Sequence, residues 1–206
     1  MPFTHDRRTH VGVRLAAACL FALLGTSACA KTLVLVDAEP TASATPPSSS
    51  VPNTGLQLVG GTAAEHGLTG DGGTPVGAIP QPQPAKWVQL AVASSDAVGA
   101  YLTDVNGSTL YRSDHDAPNV SSCADACALV FPPVTIREGG KVYLSPGVDP
   151  SAVGAIQRPD GTIQLTIGGR PVYRHTGDTR PGDMRGRGAD DAWYPIAPTG
   201  AKATPH

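Results

Sequence analysis

Hydrophobic positions are distributed unevenly along the chain. An unbroken apolar run, Leu15 to Leu24 (LAAACLFALL), follows a basic stretch with Arg7, Arg8 and Arg14. A short run, Lys31 to Val36 (KTLVLV), comes next, and then no helical or strand period persists from Asp37 to about Ala85. From Lys86 the texture changes to short alternating segments. Trp87 to Ala93 (WVQLAVA) and Gly99 to Asp104 read as half-buried strands, and Val105-Asn106-Gly107-Ser108 is a hairpin turn leading back into Thr109-Leu110-Tyr111. Pro159-Asp160-Gly161 is a second turn, Thr162 to Ile167 (TIQLTI) a strand, and Gly168-Gly169 a tight turn before Arg170 to Tyr173. Pro171 cannot donate to a ladder and predicts a sheet edge or bulge. Cys123 to Val130 is predicted to form one or two helical turns, stopped by Pro132-Pro133.

Aligning the hairpins exposes an internal repeat. Leu102-Thr103, a Gly-containing turn, Leu110-Tyr111 and Asp116 match Leu165-Thr166, a Gly-Gly turn, Val172-Tyr173 and Asp178. Each copy then reaches an aromatic followed by proline: Phe131-Pro132-Pro133-Val134 and Trp193-Tyr194-Pro195-Ile196. Neither copy is large enough to bury its own apolar face. The expected fold is therefore mainly β: two pseudo-repeated hairpin units (about 97–135 and 155–198) packed as one domain over 86–206, with a short disulfide-stapled helical turn.

Composition changes the reading of the first half. Gly 24 and Pro 20 exceed a fifth of the 206 residues, and much of that excess precedes residue 86. Such a segment cannot bury enough apolar surface to offset chain entropy. Residues 29–85 are thus expected to be a flexible, disordered Pro/Ser/Gly-rich linker, with a small buried segment around Gly55 to Gly60 as the minor alternative. The ten-residue apolar run is too short to span a bilayer and reads as the core of an export signal over residues 1–28. Gly25-Thr26-Ser27-Ala28-Cys29 resembles a lipobox, although Thr26 stands where leucine is usual. Lipidation of Cys29 would hold the protein on the extracytoplasmic face of a cell membrane; simple secretion is the alternative.

A net charge of -2 and a pI near 6.3 set nucleic-acid binding aside, since that normally needs a basic face. Removing the signal removes Cys19. With Cys29 lipidated, Cys123 and Cys127 remain as a pair, and in an oxidising compartment a pair at i, i+4 reads as a disulfide.

The pattern Gly99-Ala-Tyr-Leu-Thr, Thr109-Leu-Tyr, Asp116, Cys123-x-x-x-Cys127-Ala, Phe131-Pro-Pro resembles a family of bacterial lipoproteins known as secreted repeats of unknown function. So does Gly168-Gly169-x-Pro-Val-Tyr173, Asp178, Pro181-Gly-Asp183, Gly186-x-Gly188 and Trp193. The resemblance covers about residues 97 to 200. It implies a tandem motif of tyrosine followed five residues later by aspartate, here Tyr111/Asp116 and Tyr173/Asp178. The sequence departs at the aromatic two after each tyrosine, carrying Ser113 and His175, and has Phe131 where tryptophan is usual. The family brings no established activity with it.

Each motif has two readings. The Tyr/Asp pairs suit structural corners, in which the carboxylate caps loop amides, better than a ligand or electron site. Asp114-His115-Asp116, joined by His175, is the most metal-like set, but an exposed polar loop is the plainer reading. No catalytic constellation is present: there is no Gly-x-Ser-x-Gly elbow, His-Glu-x-x-His or phosphate-cradling glycine loop. The expectation is a monomeric, non-enzymatic binding module of the cell envelope without a cofactor. It would be attached to the membrane by lipid and directed at an envelope protein, polymer or small ligand. The alternative is a metal or redox accessory protein using Tyr111, Tyr173, His115, His175 and the cysteine pair.

Overall fold

A computed structural model describes residues 49–51 (backbone only), 55–74 and 83–205. The predicted export signal, Cys29 and most of the predicted linker lie outside these residues. The chain is mainly β, as expected. Its strands are β1 (Ser49–Val51), β2 (Gln57–Gly60), β3 (Ala85–Ser95), β4 (Gly99–Thr103) and β5 (Tyr111–Ser113). After the single α-helix among the described residues, α1 (Asp125–Val130), come β6 (Thr135–Leu144), β7 (Val153–Gln157), β8 (Ile163–Ile167), β9 (Arg170–Pro171) and β10 (Trp193–Pro195).

Eight of these strands share one sheet, with the order β1-β7-β8-β6-β3-β4, β2 also on β6 and β9 also on β8. β3/β4 and β7/β8 are antiparallel hairpins, one belonging to each copy of the repeat. β6 joins them, running parallel to β3 and antiparallel to β8. The two-residue turn Gly168-Gly169 has positive φ at both residues, the backbone that a tight hairpin requires and that only glycine adopts readily. Pro171 sits on short β9, which pairs only with β8, so its missing N–H interrupts no interior ladder. The main core lies where the hairpins meet: Leu90, Leu102, Leu110, Ile136, Val142, Leu165, Ile167 and Ile196 are all fully buried.

Two departures from the sequence reading stand out. The expected linker does not hold over residues 55–74. β2 pairs parallel with β6, and Val59 of β2 packs with Ala63 and Leu68 of the following turn against Trp87 and Tyr143 on the second face of the sheet. The Ala63 amide donates to Gln89 Oε1 at 2.8 Å, and the Lys86 amide to the Gly72 carbonyl at 2.8 Å. The Gly55–Gly60 segment, which the minor alternative would bury, carries β2 and is half-buried to exposed. Second, β6 and β7 have no counterpart in the sequence reading, because Arg137-Glu138-Gly139-Gly140 breaks the period-two pattern in the middle of β6.

Candidate functional site

The two copies are interlocked rather than stacked. Tyr111 and Tyr173 face each other in an antiparallel bridge, each amide donating to the other's carbonyl (2.8 and 2.9 Å). An approximate two-fold axis passes between them. Around it the hydrogen bonds repeat in pairs: Leu110 N to Leu102 O (2.9 Å) with Val172 N to Leu165 O (3.0 Å), and Ile196 N to Leu110 O (2.9 Å) with Val134 N to Val172 O (2.9 Å). The segment that completes each hairpin thus comes from the other copy. β10 of the second copy pairs with β5 of the first, while Pro133 of the first bridges Tyr173 of the second.

The motif side chains cross in the same way. The Tyr111 phenol donates to Asp178 Oδ2 at 2.6 Å, and the Tyr173 phenol to Asp116 Oδ2 at 2.8 Å. Each carboxylate uses its second oxygen to hold a loop. Asp116 Oδ1 accepts from the Ser122 amide (2.7 Å) and hydroxyl (2.8 Å), and Asp178 Oδ1 from the Arg185 amide (2.8 Å). The Tyr173 oxygen also accepts from the Ser121 hydroxyl at 2.7 Å. Arg158 secures that hydroxyl from behind, with contacts to Ser121 Oγ (2.6 Å), Gln164 Oε1 (2.7 Å) and the Cys123 carbonyl (2.7 Å). Both tyrosines are 0% exposed. Burial first, and then the adjacent carboxylate, pushes both phenols far above the ordinary tyrosine range. They remain protonated donors at physiological pH, a state suited to holding structure rather than to exchanging protons.

The aromatic that follows each helical or loop segment closes the axis. Phe131 and Trp193, the equivalent positions of the two copies, stack with ring centroids 3.6 Å apart and planes 4° apart. Tyr173 meets Trp193 edge-on at 5.0 Å. Trp193 is therefore central to the axis. The Cys123–Cys127 disulfide joins the segment before α1 to the helix's first turn, and its loop packs on this cluster.

The metal-like residues are not brought together. Asp114 turns outward to Arg112 (3.0 Å) and Lys202, and His115 is exposed. Asp116 turns inward to Tyr173. His175 lies on the other side of the pairs, its ring 4.9 Å from Phe131 and its Nδ1 3.5 Å from Asp178 Oδ1. Among the described residues no group of three or more His, Cys, Asp or Glu side chains is placed to hold a metal ion.

The interlock gives the resemblance a structural basis, because the tyrosine, aspartate and aromatic positions of both copies meet at the axis. Residues 154–197 match the family model described as a secreted repeat of unknown function. That segment is the second copy of the repeat. No curated protein and no solved structure matches the chain. The secreted repeat goes with an extracellular location, and no helix among the described residues is long and apolar enough to cross a membrane.

Open surface lies away from the repeat axis. A groove of about 650 Å³ runs between β6 and the β7–β8 turn, lined by Arg137, Glu138, Gln157, Asp160 and Thr162. A smaller one of about 230 Å³ continues from it past Pro84, Asp160 and Thr162 to Leu129 and Pro132. Leu129 and Val130, on α1, are 62% and 46% exposed, the exposed large hydrophobics among the described residues. Sequence reasoning missed these positions. The available signal was Gly139-Gly140 inside an otherwise strand-like run, which marks a bulge.

Proposed function

We propose that this chain is a lipid-anchored, extracytoplasmic binding module. Its interlocked secreted repeats form a rigid scaffold, and the groove between β6 and the β7–β8 turn receives an envelope component. The observation that carries the reading is the division of labour. The motif tyrosines and aspartates are engaged with one another inside, while a continuous groove stays open outside, apolar at Leu129 and polar from Asp160 to Arg137. Concave sites combining an apolar wall with a few placed polar groups are the usual form of a ligand site. Export by residues 1–28 and lipidation of Cys29 would place that groove outside the cell on a tether.

The test has two arms. Cells expressing the protein are labelled with a radioactive fatty acid; label on the wild type that disappears with Cys29→Ser supports the anchor. Purified protein is then bound to isolated cell envelopes with and without Leu129→Asp and Gln157→Trp, which alter the groove's two ends. Loss of retention in the folded variants supports the groove. Unchanged retention contradicts it.

A further inference from the structure

The bulge in β6 faces a second cavity, on the other side of Arg137 from the groove. Between the pairs Ala85–Ile136 and Trp87–Lys141 the register advances two residues along β3 but five along β6. The surplus residues leave the sheet, with Gly139 at φ 67°, a backbone that glycine adopts without strain. The cavity beside them, about 360 Å³, is lined by Lys86, Arg137, Lys141, Trp87, Tyr143 and Leu68. Three cations and no carboxylate line it, in a chain whose net charge is -2.

These cations differ from four others of the domain. Arg112, Arg158, Arg185 and Lys202 each have an acidic partner. Lys86, Arg137 and Lys141 are exposed and make no ion pair or side-chain hydrogen bond among the described residues. Three like charges around one concavity repel one another until an anion enters, and low-dielectric walls focus their field. The walls here are aromatic: Trp87 meets Tyr143 edge-on at 5.9 Å, and the residue 61–74 segment packs behind them. An arginine fork and two ammonium groups suit phosphate oxygens, and the ring edges suit the carbon body that carries them.

We infer that the Lys86–Arg137–Lys141 cavity is an anion site for a phosphate-bearing polymer of the cell envelope. The inference rests on the binding-module reading and specifies the chemistry of its ligand. Titration of detergent-solubilised full-length protein with inorganic polyphosphate at low salt tests it, with polygalacturonate as the carboxylate control. Polyphosphate is expected to bind, and Lys86→Ser/Arg137→Ser/Lys141→Ser to weaken binding by roughly tenfold or more, as three lost charge contacts imply. Arg180→Ser/Arg187→Ser, which removes two exposed charges elsewhere, is expected to change it by no more than about twofold.

Equal losses in both variants, equal binding of polygalacturonate, or no binding by the wild type would each overturn the anion site. The envelope-retention assay separates this failure from that of the parent reading. If the groove variants lose retention while polyphosphate does not bind, the module stands and the phosphate site falls. If retention is insensitive to the groove but lost in the triple variant, the site stands and the groove falls.

Discussion

Tyr111 donates its phenolic proton to Asp178, a carboxylate 67 residues away in the other copy of the repeat. Tyr173 returns the same bond to Asp116. The motif is therefore a reciprocal clasp: each copy supplies the donor for one pair and the acceptor for the other. A hydrogen bond to a charged acceptor contributes about 1.5–3 kcal/mol, and leaving a buried carboxylate without its donor costs on that order.

Alkaline pH is expected to open the clasp. Unfolded tyrosine ionises near 10.0, whereas burial and the neighbouring aspartates raise Tyr111 and Tyr173 well above that in the folded chain. Below the unfolded value both states keep the proton, and the stabilisation is fully present. Above it the unfolded chain releases protons that the folded chain retains, so stability falls as pH rises toward the folded values. Each phenol contributes about 1.4 kcal/mol per pH unit in that window. Urea denaturation from pH 8 upward should show a plateau and then a decline from about pH 10. Tyr111→Phe and Tyr173→Phe should each make the decline shallower; an unchanged slope would contradict the assignment.

Reducing the Cys123–Cys127 disulfide, or replacing both residues with Ala, is expected to lower stability by about 2 kcal/mol without unfolding the domain, because the closed loop is short. Arg158 and Asp116 continue to hold the same loop through Cys123 and Ser122. Chemical denaturation with and without reductant measures the difference. Complete loss of structure on reduction would show that these contacts do not suffice.

Residues 55–74 belong to the folded domain, which yields a test by truncation. A chain starting at residue 55 is expected to be more stable than one starting at 86 by about 2–4 kcal/mol, the value of the apolar surface that Val59, Ala63 and Leu68 cover on Trp87 and Tyr143. Thermal melts of the two fragments provide the comparison. Equal melting temperatures would mean that this layer contributes nothing to the fold.

Much of the repeat was legible because its residues recur at matched positions. Leu102/Leu165, Leu110/Val172, Tyr111/Tyr173, Asp116/Asp178 and Phe131/Trp193 align from the sequence and occupy equivalent places about the axis. The crossing was not legible. Spacing puts Asp116 near Tyr111, but β5 is three residues long, and the chain turns inward at Asp116 toward the other tyrosine. Strand β6 was hidden for another reason: Arg137 and Glu138 and two glycines interrupt its alternation, although Val142 and Leu144 are core residues. The same interruption produces the groove and the cationic cavity, so the surface that carries the proposed function was the part hardest to read. Residues 55–74 were obscured by composition. Their few apolar side chains, Leu56, Leu58, Val59 and Leu68, are used against an existing sheet rather than to build a core of their own.

The most direct test of the clasp is a set of double-mutant cycles pairing Tyr111→Phe with Asp178→Asn and, separately, with Asp116→Asn, read by equilibrium denaturation. Coupling of about 1–3 kcal/mol is expected for Tyr111 with Asp178, the residue it contacts across the axis, and much less for Tyr111 with Asp116, its neighbour in the motif. Strong coupling within one copy and none between copies would contradict the crossed arrangement and the scaffold role built on it.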